Sequence, residues 1–173
     1  MTTRRPPSKI TPSYLENAAL HYLERYSSSR ANLKRILMRK VDRSLAHWGG
    51  ERDEAASLVE AVIAKLAGLG YLNDAAYADI KVRTLRRKGA STRLIQAALS
   101  AKGVEAETVA AALSEQEPDS ELAAAFTLAR RRRLGPYRAA DKRAEFRAKD
   151  LAALGRAGFS WETARAVIEA EDQ

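Results

Sequence analysis

The stretch Leu69-Gly-Tyr-Leu-Asn-Asp-Ala-Ala-Tyr-Ala-Asp-Ile-Lys-Val-Arg-Thr-Leu-Arg-Arg-Lys-Gly-Ala-Ser-Thr-Arg-Leu-Ile-Gln-Ala-Ala-Leu-Ser-Ala-Lys-Gly-Val104 reads as two helices joined by a glycine turn. Asn73 or Asp74 is a helix start, because a short side-chain oxygen accepts orphan N–H groups of a first turn. Tyr77, Ile80, Thr84 and Leu85 recur at helical spacing and predict a seam, with cations on the other side and at the end. Cations near a helix C-terminus are favoured by its partial negative charge. Gly89 stops the helix, since a left-handed closing position suits glycine. Ser91 or Thr92 starts the next, with Ile95, Ala98, Leu99 and Lys102 on one face, and Gly103 ends it.

The same grammar extends both ways. Upstream, Leu15, Ala18, Ala19, Tyr22, Leu23 and Tyr26 predict a helix beginning at Pro12. Ser27–Ser29 break it, and a second helix carries Leu33, Ile36, Leu37, Val41 and Leu45, with Trp48 beside the terminating Gly49-Gly50. A third runs from about Asp53 with Val59, Val62, Ile63, Leu66 and Leu69 as its stripe. Downstream, helices are expected around Val109–Leu113, from Glu121 to Leu134, and from Arg138 to Leu154 with Ala140, Ala144, Leu151 and Leu154 facing in. A last one starts at Ser160, with Trp161, Ala164, Val167 and Ile168 as its stripe. No segment alternates at period two long enough for a strand. Nine helices of an all-α fold are expected.

An internal repeat groups them in threes. Ile95-Gln-Ala-Ala-Leu-Ser-Ala-Lys-Gly-Val-Glu-Ala-Glu-Thr-Val109 aligns with Asp150-Leu-Ala-Ala-Leu-Gly-Arg-Ala-Gly-Phe-Ser-Trp-Glu-Thr-Ala164, matching Leu99 to Leu154 and Gly103 to Gly158. Leu33, Ile36, Leu37 and Lys40-Val41 echo Ile95, Ala98, Leu99 and Lys102, after which residues 42–54 read as an insert. Self-similarity at this period marks a stacked helical array, here an elongated, curved one. The expected divisions are a disordered basic arm at 1–11 and three-helix units at 12–70, 71–117 and 118–173.

Hydrophobic residues make up 46% of the 173, but aromatics only 6%, so thin alanine-rich helix interfaces are expected over a thick sandwich core. Lys plus Arg is 30 against 22 Asp plus Glu, a net charge of +8, which draws polyanions or an acidic protein face. With no cysteine, disulfides and thiolate metal sites are excluded, and the composition suits a reducing cytoplasm. No apolar run approaches the roughly 20 residues of a membrane span. The stretch with Arg4, Arg5, Pro6, Pro7 and Lys9 has no apolar signal region, so secretion is not expected.

Gly70-Tyr71-Leu72-Asn73-Asp74 with Tyr77-Ala78, then Arg86-Arg87-Lys88-Gly89, Ile95, Leu99 and Lys102-Gly103-Val104, resembles the RecX family of recombination regulators. Gly158-Phe159-Ser160 followed by Ala164 and Ile168 resembles that family's C-terminal unit. The likeness spans roughly Leu15 to Glu169. The chain departs from it at Asn73, where an acid is usual, at Tyr77, where phenylalanine is usual, and in the first-unit insert. The resemblance implies a cytoplasmic, monomeric modulator of the RecA recombinase in DNA repair, recombination and the SOS response. Such proteins lie along the RecA filament on single-stranded DNA, mostly inhibit strand exchange and ATP hydrolysis, and are not enzymes.

The residues agree with the absence of a reactive centre. His21 and His47 lie in different helices without ligand spacing, and no Gly-x-x-x-x-Gly-Lys-Ser/Thr phosphate loop occurs, so neither metal nor cofactor is expected. Two cationic clusters are the candidate partner- and DNA-binding residues. One comprises Lys81, Arg83, Arg86, Arg87, Lys88 and Arg93, joined by Lys102; the other comprises Arg130, Arg131, Arg132, Arg133, Arg138, Lys142 and Arg143. Only Asp79 neighbours the first in sequence and Asp141 the second. Tyr71, Tyr77, Tyr137 and Phe159 are candidate base-stacking groups, though aromatics at helical spacing more often pack inward. The alternative is a free-standing helix–turn–helix DNA-binding protein that reads bases through Ser91–Gly103, with Arg93 and Gln96 at the groove.

Overall fold

A computed structural model describes residues 6–170. Among them are nine α-helices and no strand: α1 Pro12–Leu23, α2 Arg30–Trp48, α3 Arg52–Gly68, α4 Asp74–Arg87, α5 Thr92–Ser100, α6 Ala106–Ser114, α7 Ser120–Arg132, α8 Arg143–Arg156 and α9 Trp161–Ile168. Two 3-10 turns, Gly135–Tyr137 and Ala140–Lys142, separate α7 from α8. The fold is the expected all-α series of three-helix units. Backbone contacts gather the chain into two compact units. One is the chain up to Tyr77 with Lys102–Val104; the other is Ala78–Ala101 with Glu105–Gln173.

In the first unit, Thr11 accepts the N–H of Tyr14 at 3.1 Å and Pro12 opens α1. The helix buries Leu15 and Ala19 against Leu33, Leu37 and Val41 of α2 and Val59, Val62, Ile63 and Leu66 of α3. Residues 42–54 extend α2 to 19 residues, turn at Gly49–Glu51 and start α3. Residues 6–11, read from sequence as part of a loose arm, are seated on this hairpin. Ile10 packs on the core, Trp48 Nε1 donates to the Pro7 carbonyl at 2.7 Å, and Lys9 sits 5.1 Å above the Trp48 ring. The expectation for Arg4 and Arg5 lies outside the described residues.

In the second unit, the short α5 and α6 bury Ile95, Leu99, Val109 and Ala112. Ala124, Ala125, Leu128 and Ala129 of α7 pack with Leu151 and Leu154 of α8, Phe159, and Ala164 and Val167 of α9. Three predicted faces are corrected. On α4 the buried side is Tyr77, Ala78 and Val82, whereas Ile80 is 56% exposed. Position 80 lies two residues, about 200° of helix, from both 78 and 82. α8 begins at Arg143 rather than Arg138, which leaves Ala140 exposed in the turn before it, and Ala144 is exposed in the helix's own first turn. Trp161 is 62% exposed at the start of α9 instead of lying in its stripe.

A repeated joint ties successive repeats. Ser29 caps α2 by accepting the Asn32 N–H at 3.2 Å, and its hydroxyl donates to the Lys102 carbonyl at 2.5 Å. Ser91 caps α5 by accepting the Leu94 N–H at 3.2 Å, and donates to the Ala157 carbonyl at 2.7 Å. Each acceptor precedes a positive-φ glycine, Gly103 or Gly158. A Cβ on Gly103 would stand 2.5 Å from the Ala31 methyl, and one on Gly158 would stand 2.5 Å from Ser91 Oγ and 3.2 Å from Arg93 Cβ. An acid completes each joint at the same place. Asp74 Oδ1 accepts the Arg30 N–H at 2.9 Å, and Glu121 Oε2 accepts the Thr92 N–H at 2.9 Å. The sequence repeat is therefore a repeated set of bonds, each acid and serine satisfying donors that a helix start leaves open.

Candidate cationic interface

α4 carries most of the first predicted cluster. Asn73 is its cap, accepting the Ala76 N–H at 3.0 Å, which leaves Asp74 to serve the joint. Arg83 and Arg87 are one turn apart and therefore project on the same side. With exposed Ile80, Thr84, the edge of Arg86, and Gln116 beyond α6, they line an open groove of about 510 Å³. No carboxylate lines it. Lys88 is exposed at the end of the helix.

Arg86 is a correction to the first cluster. Its side chain is 10% exposed and paired with Glu121; its Nη1 also donates to the Ala90 carbonyl at 3.1 Å and its Nη2 to Thr92 Oγ1 at 2.5 Å. Its Nε has no hydrogen-bond partner. Arg86 therefore holds the second joint together rather than facing a partner. Lys81 is half-buried and engaged within the chain. Arg93 is exposed, its stem against Gly158. Lys102 belongs to the first unit, where its Nζ lies 3.4 Å from Asn32 Oδ1.

The second cluster divides in the same way. Arg130, Arg132, Arg133 and Lys142 are exposed, and no hydrogen bond or ion pair of their side chains occurs among the described residues. Arg131 donates to the Lys88 carbonyl at 3.0 Å, tying the end of α7 to that of α4. Arg138 and Arg143 are structural. Asp150, 2% exposed, accepts from Arg138 Nη2 at 2.7 Å, from Arg138 Nε at 3.0 Å and from the Gly135 N–H at 2.9 Å. Arg138 also stacks 4.4 Å over the Phe146 ring. Arg143 donates to the Arg138 and Pro136 carbonyls at 2.9 and 2.8 Å. Burial alone pushes the Asp150 carboxyl upward, but the Arg138 bonds, the Gly135 N–H and the Arg138 charge together hold it below its ordinary value. The same pair raises the Arg138 guanidinium, chiefly through the Asp150 hydrogen bond.

Sequence neighbourhood missed both acids, because Glu121 is 35 residues from Arg86 and Asp150 is 12 from Arg138. One signal for Asp150 was present: it aligns with Ile95, a core position of the repeat. Of the candidate stacking aromatics, Tyr77 and Phe159 are core, Tyr137 is half-buried and Tyr71 is exposed. Burial, reinforced by the nearby Tyr22 and Asp74, raises the Tyr77 phenol. Among the described residues no group of three or more His, Asp or Glu is placed to hold a metal ion, and no helix is long and apolar enough to cross a membrane.

Residues 73–113, which span nearly all of α4 to α6, match the family model for the RecX second three-helix domain. The chain is 51% identical over 165 residues to the regulatory protein RecX of Myxococcus xanthus, covering 94% of this chain and 88% of that one. The chain belongs to the RecX family. A RecX of Agrobacterium fabrum is 35% identical over 171 residues, covering 96% and 90% of the two chains. The crystal structure of RecX from Lactobacillus salivarius shares the fold with a TM-score of 0.65 at 24% identity, covering 91% and 94%. A second RecX crystal structure gives 0.67 at 22% identity, covering 92% and 72%. The exposed cations of α4 thus lie in the repeat that the RecX second-domain model describes.

Proposed function

We propose that this RecX-family chain is a non-enzymatic, cytoplasmic modulator of RecA that acts as a monomer. It binds the RecA filament on single-stranded DNA and slows strand exchange and ATP hydrolysis in DNA repair and recombination. The observation that carries this reading is the α4 groove: Arg83 and Arg87 flank an exposed isoleucine, and no acid lines the groove. Cations without intramolecular partners keep their affinity for phosphate or carboxylate groups of a polymer, and each phosphate contact releases a counterion. Arg130, Arg132 and Lys88 extend the same chemistry in the second unit.

The helix–turn–helix alternative is disfavoured by the second joint. A recognition helix contacts bases through its N-terminal residues. Here the start of α5 is occupied by Glu121, which takes the Thr92 N–H, and by the Ala157–Gly158 turn against Ser91 and Arg93.

The test is a titration into RecA, single-stranded DNA and ATP. Hydrolysis is expected to fall at less than one chain per RecA, and to fall less with Arg83→Ala/Arg87→Ala. Arg86→Ala should instead lower stability. Unchanged hydrolysis across the full titration overturns the proposal.

A further inference from the structure

Among the described residues four helices end with the same closure, in which the N–H two residues past the last turn bonds back across a left-handed residue. Tyr71 N–H reaches Leu66 O at 2.9 Å, Ala90 N–H reaches Leu85 O at 3.0 Å, and Phe159 N–H reaches Leu154 O at 3.2 Å. The left-handed residue is Gly70, Gly89 and Gly158 in turn, at φ of +81°, +81° and +93°. The fourth closure ends α7, where Leu134 N–H reaches Ala129 O at 2.9 Å. Its left-handed residue is Arg133 at φ +55°, the one non-glycine residue with positive φ among the described residues.

The backbone conformation does not call for arginine there: the negative end of α7 favours a cation, but Arg130, Arg131 and Arg132 already stand in its last turn. The bonds match those of the glycine closures, and a β-carbon in this conformation crowds its own carbonyl, so glycine is the residue the geometry favours. Around it the chain is firmly set. Leu134 is buried, and Asp150 grips the Gly135 N–H and Arg138. The Arg133 side chain stands exposed beyond that anchored loop, next to Arg130 and Arg132. A backbone outlier kept where a better residue exists points to function rather than folding.

We propose that Arg133 is the affinity-setting cation of the second unit, its guanidinium presented at a strained closure to a phosphodiester oxygen of single-stranded nucleic acid. Phosphodiester is favoured over a protein carboxylate because Arg130, Arg132 and Arg133 offer a run of closely spaced cations with no engaged acid. That arrangement suits a polymer with one charge per unit. The assignment rests on the reading given under Proposed function and names the residue and the group it meets.

The test compares the full chain with Arg133→Gly and Arg133→Lys, using a labelled oligothymidylate as the probe. Fluorescence anisotropy is read across a salt series, and thermal unfolding in parallel. Arg133→Gly is expected to melt about 3 °C higher while the slope of log affinity against log salt falls by about one. Arg133→Lys should keep the slope without the gain in melting temperature. The opposed signs separate function from fold, because a merely structural arginine would change stability and leave the salt slope alone. An unchanged slope in Arg133→Gly, no rise in melting temperature, or no binding of the oligonucleotide by the parent chain at low salt overturns the assignment. The RecA hydrolysis titration judges the underlying reading separately.

Discussion

Up to Tyr77 the chain is held by a hairpin of 19- and 17-residue helices whose interior is leucine, valine and isoleucine. Its ion pairs, Lys34–Glu60, Lys65–Glu16 and Arg52–Asp42, lie on the surface, where such pairs contribute little. In the second unit α5, α6 and α9 run only eight or nine residues, and four of the core positions on α7 include three alanines. Helices this short are marginal alone, and each alanine buries little apolar area. The second unit adds what the described residues of the first do not show, two largely buried ion pairs, Arg86–Glu121 and Arg138–Asp150. Breaking a buried pair by removing one partner is far more damaging than its net contribution suggests. Short alanine-rich repeats therefore trade apolar area for polar ties that fail abruptly.

The comparison is broken most directly at the joint acids. Glu121→Ala strands Arg86, already 90% buried with one unpartnered nitrogen, and uncaps the Thr92 N–H. A loss of about 4 kcal/mol is expected in urea unfolding followed by circular dichroism. Asp74→Ala removes the matching acid of the first joint but frees no buried charge, and should cost about 1 kcal/mol. Equal losses would show that the joints do not differ as argued. Adding Arg86→Met to Glu121→Ala should recover much of the loss, since the stranded charge is gone.

Asp150→Asn comes next, at about 3 kcal/mol near neutral pH. It is smaller because Arg138, 22% exposed, is more open to water than Arg86, which is 10% exposed. Its pH dependence follows from the lowered carboxyl. A group whose pKa falls on folding stabilises the protein above its unfolded value, here about the ordinary 3.8, and loses that contribution as pH drops through the folded value. The gap between parent and Asp150→Asn should therefore be widest above pH 5 and close below pH 4. Glu169, lowered by Arg165 and Arg147, titrates in the same direction from the surface. A gap constant from pH 7 to pH 2 would show that Asp150 acts through shape and not charge.

Much of this was legible beforehand. Helix number, the three-by-three grouping, the Ser91 and Ser160 caps and the Gly103–Gly158 correspondence follow from local signals: periodicity, cap chemistry and left-handed glycine; Ser29 reads from sequence as part of a helix break, not as a cap. What was not legible is where long-range acids fall. Arg86 and Arg87 are adjacent and chemically identical, yet one is committed to Glu121 and the other lines a groove. Helical phase separates them by about 100°, and the sequence does not fix that phase on α4, where Ile80 has the identity of a core residue but is exposed. Trp161 misled for the same reason. Hydrophobic identity predicts a face only when the neighbour that covers it is present, and none among the described residues covers Trp161. The bonds of residues 6–11 to Trp48 had no sequence signal, since a carbonyl acceptor has no side-chain signature.

Gly158→Ala and Gly103→Ala sharpen the comparison at about 2 kcal/mol each, combining a positive φ with a crowded β-carbon. Gly103→Ala should be the worse. Its obstacle is the Ala31 methyl, fixed to the α2 backbone, whereas Ser91 Oγ before Gly158 can rotate away at the expense of its bonds. The joint serines give a smaller effect than the glycines. Ser29→Ala and Ser91→Ala each remove an N-cap and leave one carbonyl, of Lys102 or Ala157, without its donor, which should cost about 1.5 kcal/mol at either joint. Here the two joints are expected to agree, because the serine geometry is the same in both and the buried charge belongs to the acid. If Ser91→Ala proves much costlier than Ser29→Ala, the hydroxyl and the Arg86–Glu121 pair act as one network. The difference should then vanish when both serine variants are remade with Arg86 and Glu121 replaced by apolar residues.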